Sequence, residues 1–182
     1  MKKQSIIIII CACVIVLAVV GALAIKKSNK DSQIKFENSE DILKMFDSIY
    51  ANLKDELPSL ETAELDATDA LTVSGYTGLK SNENVESLVV SEPLMNAQAY
   101  SAVVVKVKDG ADIESMKKEM LENLNMGKWI CVSADKLYIT SRGNVIFMVM
   151  ASEDWAKPVY EEFKKYVNNN VDKELERTEV FG

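Results

Sequence analysis

Four carboxylates crowd one short stretch of this 182-residue chain: Glu61, Glu64, Asp66 and Asp69. Paired carboxylates can work as general acid and base, or share a Ca²⁺. A Ca²⁺ loop needs a denser ligand series with a glycine at its sharp turn, and that series is missing. Helix caps and solvated turns account for the four residues more simply. The other routes to chemistry close quickly. The chain has no histidine, which removes Ser-His and Cys-His catalysis, His-ligated zinc and imidazole acid–base work. Of its three cysteines, Cys11 and Cys13 lie in an apolar run and, at i, i+2, point to different faces of a helix. Cys131 is then alone, so neither a disulfide framework nor a thiolate zinc site is available. Between Ile130 and Val132 it is expected to be a buried small hydrophobe. The serines have no base to activate them. No catalytic residue, cofactor-binding residue or metal ligand is therefore assigned, and no cofactor is implied.

A binding groove is the remaining candidate. Tyr76, Met95 and Tyr100 could line an apolar strip beside Pro93, and methionine suits an adaptable surface. Core packing explains them more economically, and Trp129 and Trp155 are expected at the core or its boundary.

The elements that would hold such a domain in place begin at the N-terminus. Lys2 and Lys3 precede an unbroken apolar run, residues 6–25, closed by Lys26 and Lys27. Twenty residues of helix span roughly 30 Å, the thickness of a bilayer's hydrocarbon core. Three readings compete: a retained signal-anchor, a signal peptide cut after Ala22-Leu23-Ala24, and a lipoprotein signal at Ile10-Cys11-Ala12-Cys13. A lipidated cysteine should end the apolar stretch, and here the run continues past Cys13. The run also exceeds the usual signal-peptide core, so the expectation is a retained anchor with residues 6–25 in the plasma membrane. Flanking lysines do not decide orientation. The very short N-terminal tail favours a domain outside the cytoplasm.

Residues 31–182 carry all 28 acidic residues and 16 of the 21 basic ones, a net charge of −12. That argues against nucleic acid and against lying flat on an anionic bilayer.

Residues 28–37 read as a polar stem, 38–170 as one domain and 171–182 as a flexible acidic tail. Within the domain, residues 40–57 predict a helix capped by Asn38 or Ser39, with Ile42, Phe46, Ile49, Leu53 and Leu57 on one stripe and Pro58 as its stop. Residues 60–66 could be a short strand or a turn. Residues 67–71 read as a helical turn capped by Asp66 or Thr68, with Gly75 and Gly78 breaking the pattern. Strands are expected at 85–90 and at 100–108, where YSAVVVKVK alternates. Residues 112–125 form the next helix, stopped by Gly127. Then come a strand at 136–140, a turn at Gly143-Asn144 and the continuous apolar strand VIFMVM at 145–150. A last helix carries Trp155, Val159, Phe163 and Tyr166 or Val167 inward; Pro158 is tolerated only near a helix start, so it begins around Asp154 to Lys157 and ends at Asn168-Asn169-Asn170. Four or so strands in the order α-β-β-α-β-β-α give an α+β domain with an antiparallel sheet packed by helices.

The string from Glu64 to Leu121, followed by GNVIFMVMAS, resembles the bacterial domain of unknown function 4358 family. The resemblance covers roughly residues 40–167 and rests on Leu65-Asp66-Ala67, Tyr76-Thr77-Gly78-Leu79 and Pro93-Leu94-Met95. It implies a small envelope protein of Gram-positive anaerobes behind a membrane or lipoprotein signal, and brings no catalytic residues. The expected function is a non-enzymatic, membrane-anchored extracytoplasmic binding or interaction module. It would meet an unknown protein or cell-wall partner through a sheet edge or groove. A structural subunit acting through the membrane helix, by way of Gly21, Ala18 and Ala22, is the alternative, ahead of a carboxylate-dependent enzyme using Asp66 and Asp69.

Overall fold

Strands β3 (Tyr100–Val107) and β5 (Val145–Ala151) bury every residue. Their near-continuous valine, isoleucine and methionine content leaves no polar face to give to water, so both sides of the sheet must be covered. A computed structural model describes residues 34–95 and 97–179 and shows how this is done. The expected anchor at 6–25, most of the stem and the last residues of the tail lie outside the described residues. Among the described residues no helix is long and apolar enough to cross a membrane.

In chain order the elements are α1 (Ser39–Ala51), β1 (Leu60–Leu65), α2 (Ala70–Thr77), β2 (Val85–Pro93), β3, α3 (Ile113–Asn123), β4 (Lys136–Arg142), β5, α4 (Glu153–Tyr166) and β6 (Leu175–Thr178). The strands make one sheet in the order β1-β2-β3-β5-β4-β6, antiparallel at every pairing described. Register fixes the two faces. Leu88, Val105, Ile146 and Ser141 form one cross-strand row, while Val90, Val103, Met148 and Ile139 form another on the same face. This face packs against Val73 of α2 and against Met116 and Met120 of α3. The opposite face presents Val89, Val104 and Phe147 to α1 and α4. There the Phe147 ring stacks on Phe163 at 4.1 Å and the Tyr138 ring on Tyr160 at 4.8 Å. Each buried valine, leucine or phenylalanine contributes about 1.5–3 kcal/mol, which is why four helices gather on so short a sheet.

The fold class is α+β with an antiparallel sheet, as expected, and several finer expectations are corrected. Among the described residues there are six strands rather than about four, and α2 falls between β1 and β2. Residues 60–65 are an edge strand. The helical turn expected at 67–71 forms later, capped by Asp69, and runs through Gly75, whose position is open space. Gly78 ends it in the left-handed region at φ 73°. Helix α1 stops at Ala51, well short of Pro58. Asn52 and Leu53 donate to Ile49 and Tyr50, tightening the last turn and turning the chain away. Helix α4 begins at Glu153, close to the expected start, and holds Pro158 in its second turn, where the Asp154 carbonyl that loses its donor belongs to an exposed residue. Trp155 is half-buried, and Ala156 and Tyr160 take the inner stripe with Val159 and Phe163.

The expected flexible tail carries β6, which pairs with β4 from Leu175↔Ile139 to Thr178↔Lys136. Asn168 and Asn169 turn the chain in left-handed conformations. Leu175 then packs on the core. Arg177 donates to the Leu121 and Leu124 carbonyls at the end of α3, a cation placed where that helix leaves acceptors unpaired.

Gly78 and Gly143 give a paired test. A Cβ on Gly78 would lie 2.9 Å from the Leu124 amide nitrogen, whereas one on Gly143 meets nothing within 4 Å. Both have positive φ. Gly143→Ala is expected to cost about 1 kcal/mol for the backbone alone. Gly78→Ala should cost at least about 2 kcal/mol, because α2 must also move off α3. Urea midpoints of both variants check this, and equal losses would contradict the close approach.

Candidate functional site

The acidic stretch is spent on local structure. Asp69 accepts from the Leu71 amide at 3.1 Å, the Thr72 amide at 3.3 Å and the Thr72 hydroxyl at 2.6 Å. Asp66 accepts from the Thr68 amide at 2.8 Å and hydroxyl at 2.7 Å. Bonds from the threonine hydroxyls, then from the backbone amides, hold both carboxyls below their ordinary range. A general acid at neutral pH needs the reverse. Glu64 accepts from the Ser39 hydroxyl, and Glu61 faces Glu92 across the β1–β2 ladder. Among the described residues no cluster of histidine, cysteine, aspartate or glutamate is arranged to hold a metal. The four carboxylates do not converge.

The groove of Tyr76, Met95 and Tyr100 does not form. Tyr100 shares a strand face with Ala102 and Val104, while Tyr76 packs on the opposite side with the Val103 and Val105 cluster. Tyr100 is fully buried, and its hydroxyl meets that of Tyr50 at 2.9 Å. Met95 and its neighbour Leu94 stand 62% and 69% exposed in the β2–β3 loop.

Cys131 is exposed, against expectation, in a left-handed conformation at φ 60°. Trp129 takes the inward position in that loop and leaves Ile130 66% exposed. Lys128 ties this loop to the sheet. Its Nζ donates to Glu92 Oε1 at 2.5 Å and Ser101 Oγ at 3.3 Å, and lies 4.7 Å from the Tyr76 ring centre. Burial and then the Glu92 charge raise the Tyr76 hydroxyl's pKa. Beside Cys131 opens a cleft of about 470 Å³ lined by Ser133, Asp135, Lys136, Glu153 and Thr178. Burial works against the charge on Lys136, but the Glu176 carboxylate at 3.2 Å carries its pKa upward. A lysine held protonated is no nucleophile.

The open edge of β1 offers something different. Its outward backbone groups make no hydrogen bond among the described residues. Leu60, Thr62 and Glu64 turn towards the α1 side; Glu61, Ala63 and Leu65 turn towards α2. At the Leu60 end lies an apolar cleft of about 380 Å³ lined by Tyr50, Leu53, Leu57, Pro58 and Leu60, with Asp47 and Lys54 at its rim. No sequence pattern marked this place, because the cleft joins a helix end, a loop and a strand. The only signal was the ambiguity of residues 60–66 between strand and turn.

Comparison with protein-family models, curated proteins and solved structures gave no match. The geometry alone bears on function.

The wall of that cleft can be tested by pH. Burial pushes the Tyr50 and Tyr100 hydroxyls well above the usual tyrosine range. The folded chain therefore keeps these protons after an unfolded chain has released its own, above about pH 10. Stability is then expected to fall as pH rises past that point, by about 1.4 kcal/mol per pH unit for each such tyrosine. In Tyr50→Phe the decline should be shallower. Urea midpoints from about pH 8 to about pH 11 measure it, and a pH-independent midpoint would contradict the burial.

Proposed function

We propose that this chain is a membrane-anchored binding module of the bacterial cell envelope, with residues 6–25 as its anchor and the domain outside the cytoplasm. It performs no catalysis of its own. The observation that carries the reading is the unpaired β1 edge lying beside an apolar cleft. Main-chain groups in that state gain affinity from an added strand, and a neighbouring pocket adds selectivity. The engaged carboxylates and the protonated Lys136 support binding over chemistry. The acidic balance of residues 31–182 supports a protein or wall partner over nucleic acid.

The layout supports presentation of this surface. Ahead of α1, the Phe36 ring lies 6.4 Å from that of Tyr166 and the Phe36 carbonyl accepts from Asn144 Nδ2 at 3.4 Å. Asn144 belongs to the β4–β5 turn. The cleft and the exposed Leu94, Met95 and Ile130 belong to the opposite end of the strands, about 20 Å away along β5. The resemblance to the domain of unknown function 4358 family agrees with an envelope location.

Two measurements on the full-length chain test the proposal. A membrane-impermeant maleimide should label Cys131 in intact bacteria, and Cys131→Ser should abolish the signal; labelling only after lysis would overturn the extracytoplasmic placement. A photocrosslinking residue at the exposed Ala63 of β1 should capture a partner that the same residue at Glu122 of α3 misses. Capture by the isolated segment 1–37 instead would move the function into the apolar run.

A further inference from the structure

We propose that β1 receives an extended segment of a partner protein that carries two basic residues, adding a seventh strand to the sheet. This rests on the reading of the domain as a binding module and names the partner's chemistry.

The argument starts from the edge itself. An exposed strand edge is a template for any chain that can pair with it, and proteins restrict the choice with charge. Here the charges are Glu61 and Glu64, both exposed and on opposite faces of the strand. A strand laid alongside places a side chain opposite each residue, at about 4.5–5.5 Å between Cβ atoms. Opposite charges at such positions favour pairing, and like charges oppose it. The rest of the domain reinforces the selection. Glu92 flanks Glu61 on the inner side, and residues 31–182 carry a net charge of −12.

Charge also disfavours a second copy of this chain. About a twofold axis normal to the sheet, opposed residues share a face, so the longest β1–β1 overlaps are centred on Thr62 or on Ala63. The first sets Glu64 against Leu60 and Glu61 against Ala63; the second sets Glu61 against Leu65 and Glu64 against Thr62. Neither gives a glutamate an opposite charge, and both bring together domains whose residues 31–182 carry a net charge of −12.

Register also predicts where the remaining side chains fall. Leu60 and Glu64 share the α1 face, with the apolar cleft at the Leu60 end. A residue opposite Leu60 points along that cleft, towards Tyr50, Leu53 and Leu57. An antiparallel partner therefore reads, from its N-terminus, a basic residue opposite Glu64, a small polar one opposite Thr62, a second basic residue opposite Glu61 and a large apolar one opposite Leu60. Neither the hydrogen bond from Ser39 to Glu64 nor the Glu92–Lys128 pair blocks this, because Ser39 occupies one carboxylate oxygen only and Lys128 engages β2.

The probe is the dye-labelled, end-capped peptide Val-Lys-Val-Thr-Lys-Leu, titrated into the full-length chain in detergent micelles. Anisotropy reads affinity, and amide hydrogen exchange reads the site. Binding should slow exchange at residues 60–65. The peptide Val-Glu-Val-Thr-Glu-Leu should bind at least about tenfold more weakly, and the double variant Glu61→Lys, Glu64→Lys should reverse that preference. Reversal also shows that the variant has folded. Methylating alternate amide nitrogens of the lysine peptide should weaken it by about tenfold or more, since the edge can no longer pair with it. Equal binding of the methylated peptide, protection elsewhere than 60–65, preference for the lysine peptide in the double variant, or no binding would each overturn the proposal. Partner capture at Ala63 in a protein that binds no basic peptide would remove this partner chemistry and leave the binding module standing.

Discussion

Burial of both faces of β3 and β5 governs the rest of the structure. An antiparallel sheet usually leaves one face in water and then alternates polar with apolar residues. Here Val103, Val104 and Val105 are successive and all buried, as are Ile146, Phe147 and Met148. Helices must therefore cover both sides: α1 and α4 over the Phe147 face, α2 and α3 over the Met148 face. Charged residues within this frame survive by pairing at its margin. Lys106 meets Glu86 at 2.5 Å. Lys117, with no exposed surface, meets Glu114 at 2.5 Å and the Lys173 carbonyl at 2.7 Å. In each case the aliphatic stem packs while the ammonium finds acceptors, since an unpaired buried charge would cost several kcal/mol. The pairing explains how the sheet accepts lysines.

The parts of the fold most legible in sequence were those with a strong period or an unbroken apolar run. YSAVVVKVK and VIFMVM lie at the centre of the sheet, where hydrophobicity alone decides. The Ile113, Met116, Met120 spacing and the Gly143-Asn144 turn were equally plain. Only Gly143 takes positive φ there, the pattern of a type II′ hairpin turn. Elements that depend on tertiary partners were illegible. In β6, Leu-Glu-Arg-Thr has one apolar residue and is held by its ladder to β4 and by Arg177 reaching the carbonyls of α3. Helix α2 holds two glycine signals at Gly75 and Gly78, and only the left-handed backbone at Gly78 is a true stop.

Functional legibility divided the same way. The absence of histidine and the solitary Cys131 narrow the chemistry through composition alone. The expectation that Asp66 and Asp69 serve as caps and turns was met by their bonds to Thr68 and Thr72. Cys131 failed as a buried hydrophobe because Trp129 fills the inward position two residues earlier. Tyr76 and Tyr100 failed as neighbours because a sheet separates them, and linear spacing carries no information about which face a helix will cover. The cleft beside β1 was illegible for the same reason: Tyr50, Leu57 and Leu60 come together only after α1 ends early and the chain turns back.

The two edges of the sheet show what kind of openness this is. At β6 the strand is four residues long, its end is fastened by the Glu179 amide to the Asp135 carbonyl at 2.9 Å, and Arg177 locks it to α3. The bond to Asp135 extends the pairing with β4, and so short a strand offers a newcomer few groups to pair with. At β1 the strand is longer, its outward groups are unpaired and an apolar cleft lies at one end. Hydrophobic side chains there would invite any strand, including another copy of this one. Two glutamates, one on each face, favour a basic strand over such partners without closing the backbone. A proline would have retired the edge outright, since it cannot donate to a ladder. Retaining every amide donor while changing only the charge is the arrangement that keeps pairing possible and makes it selective.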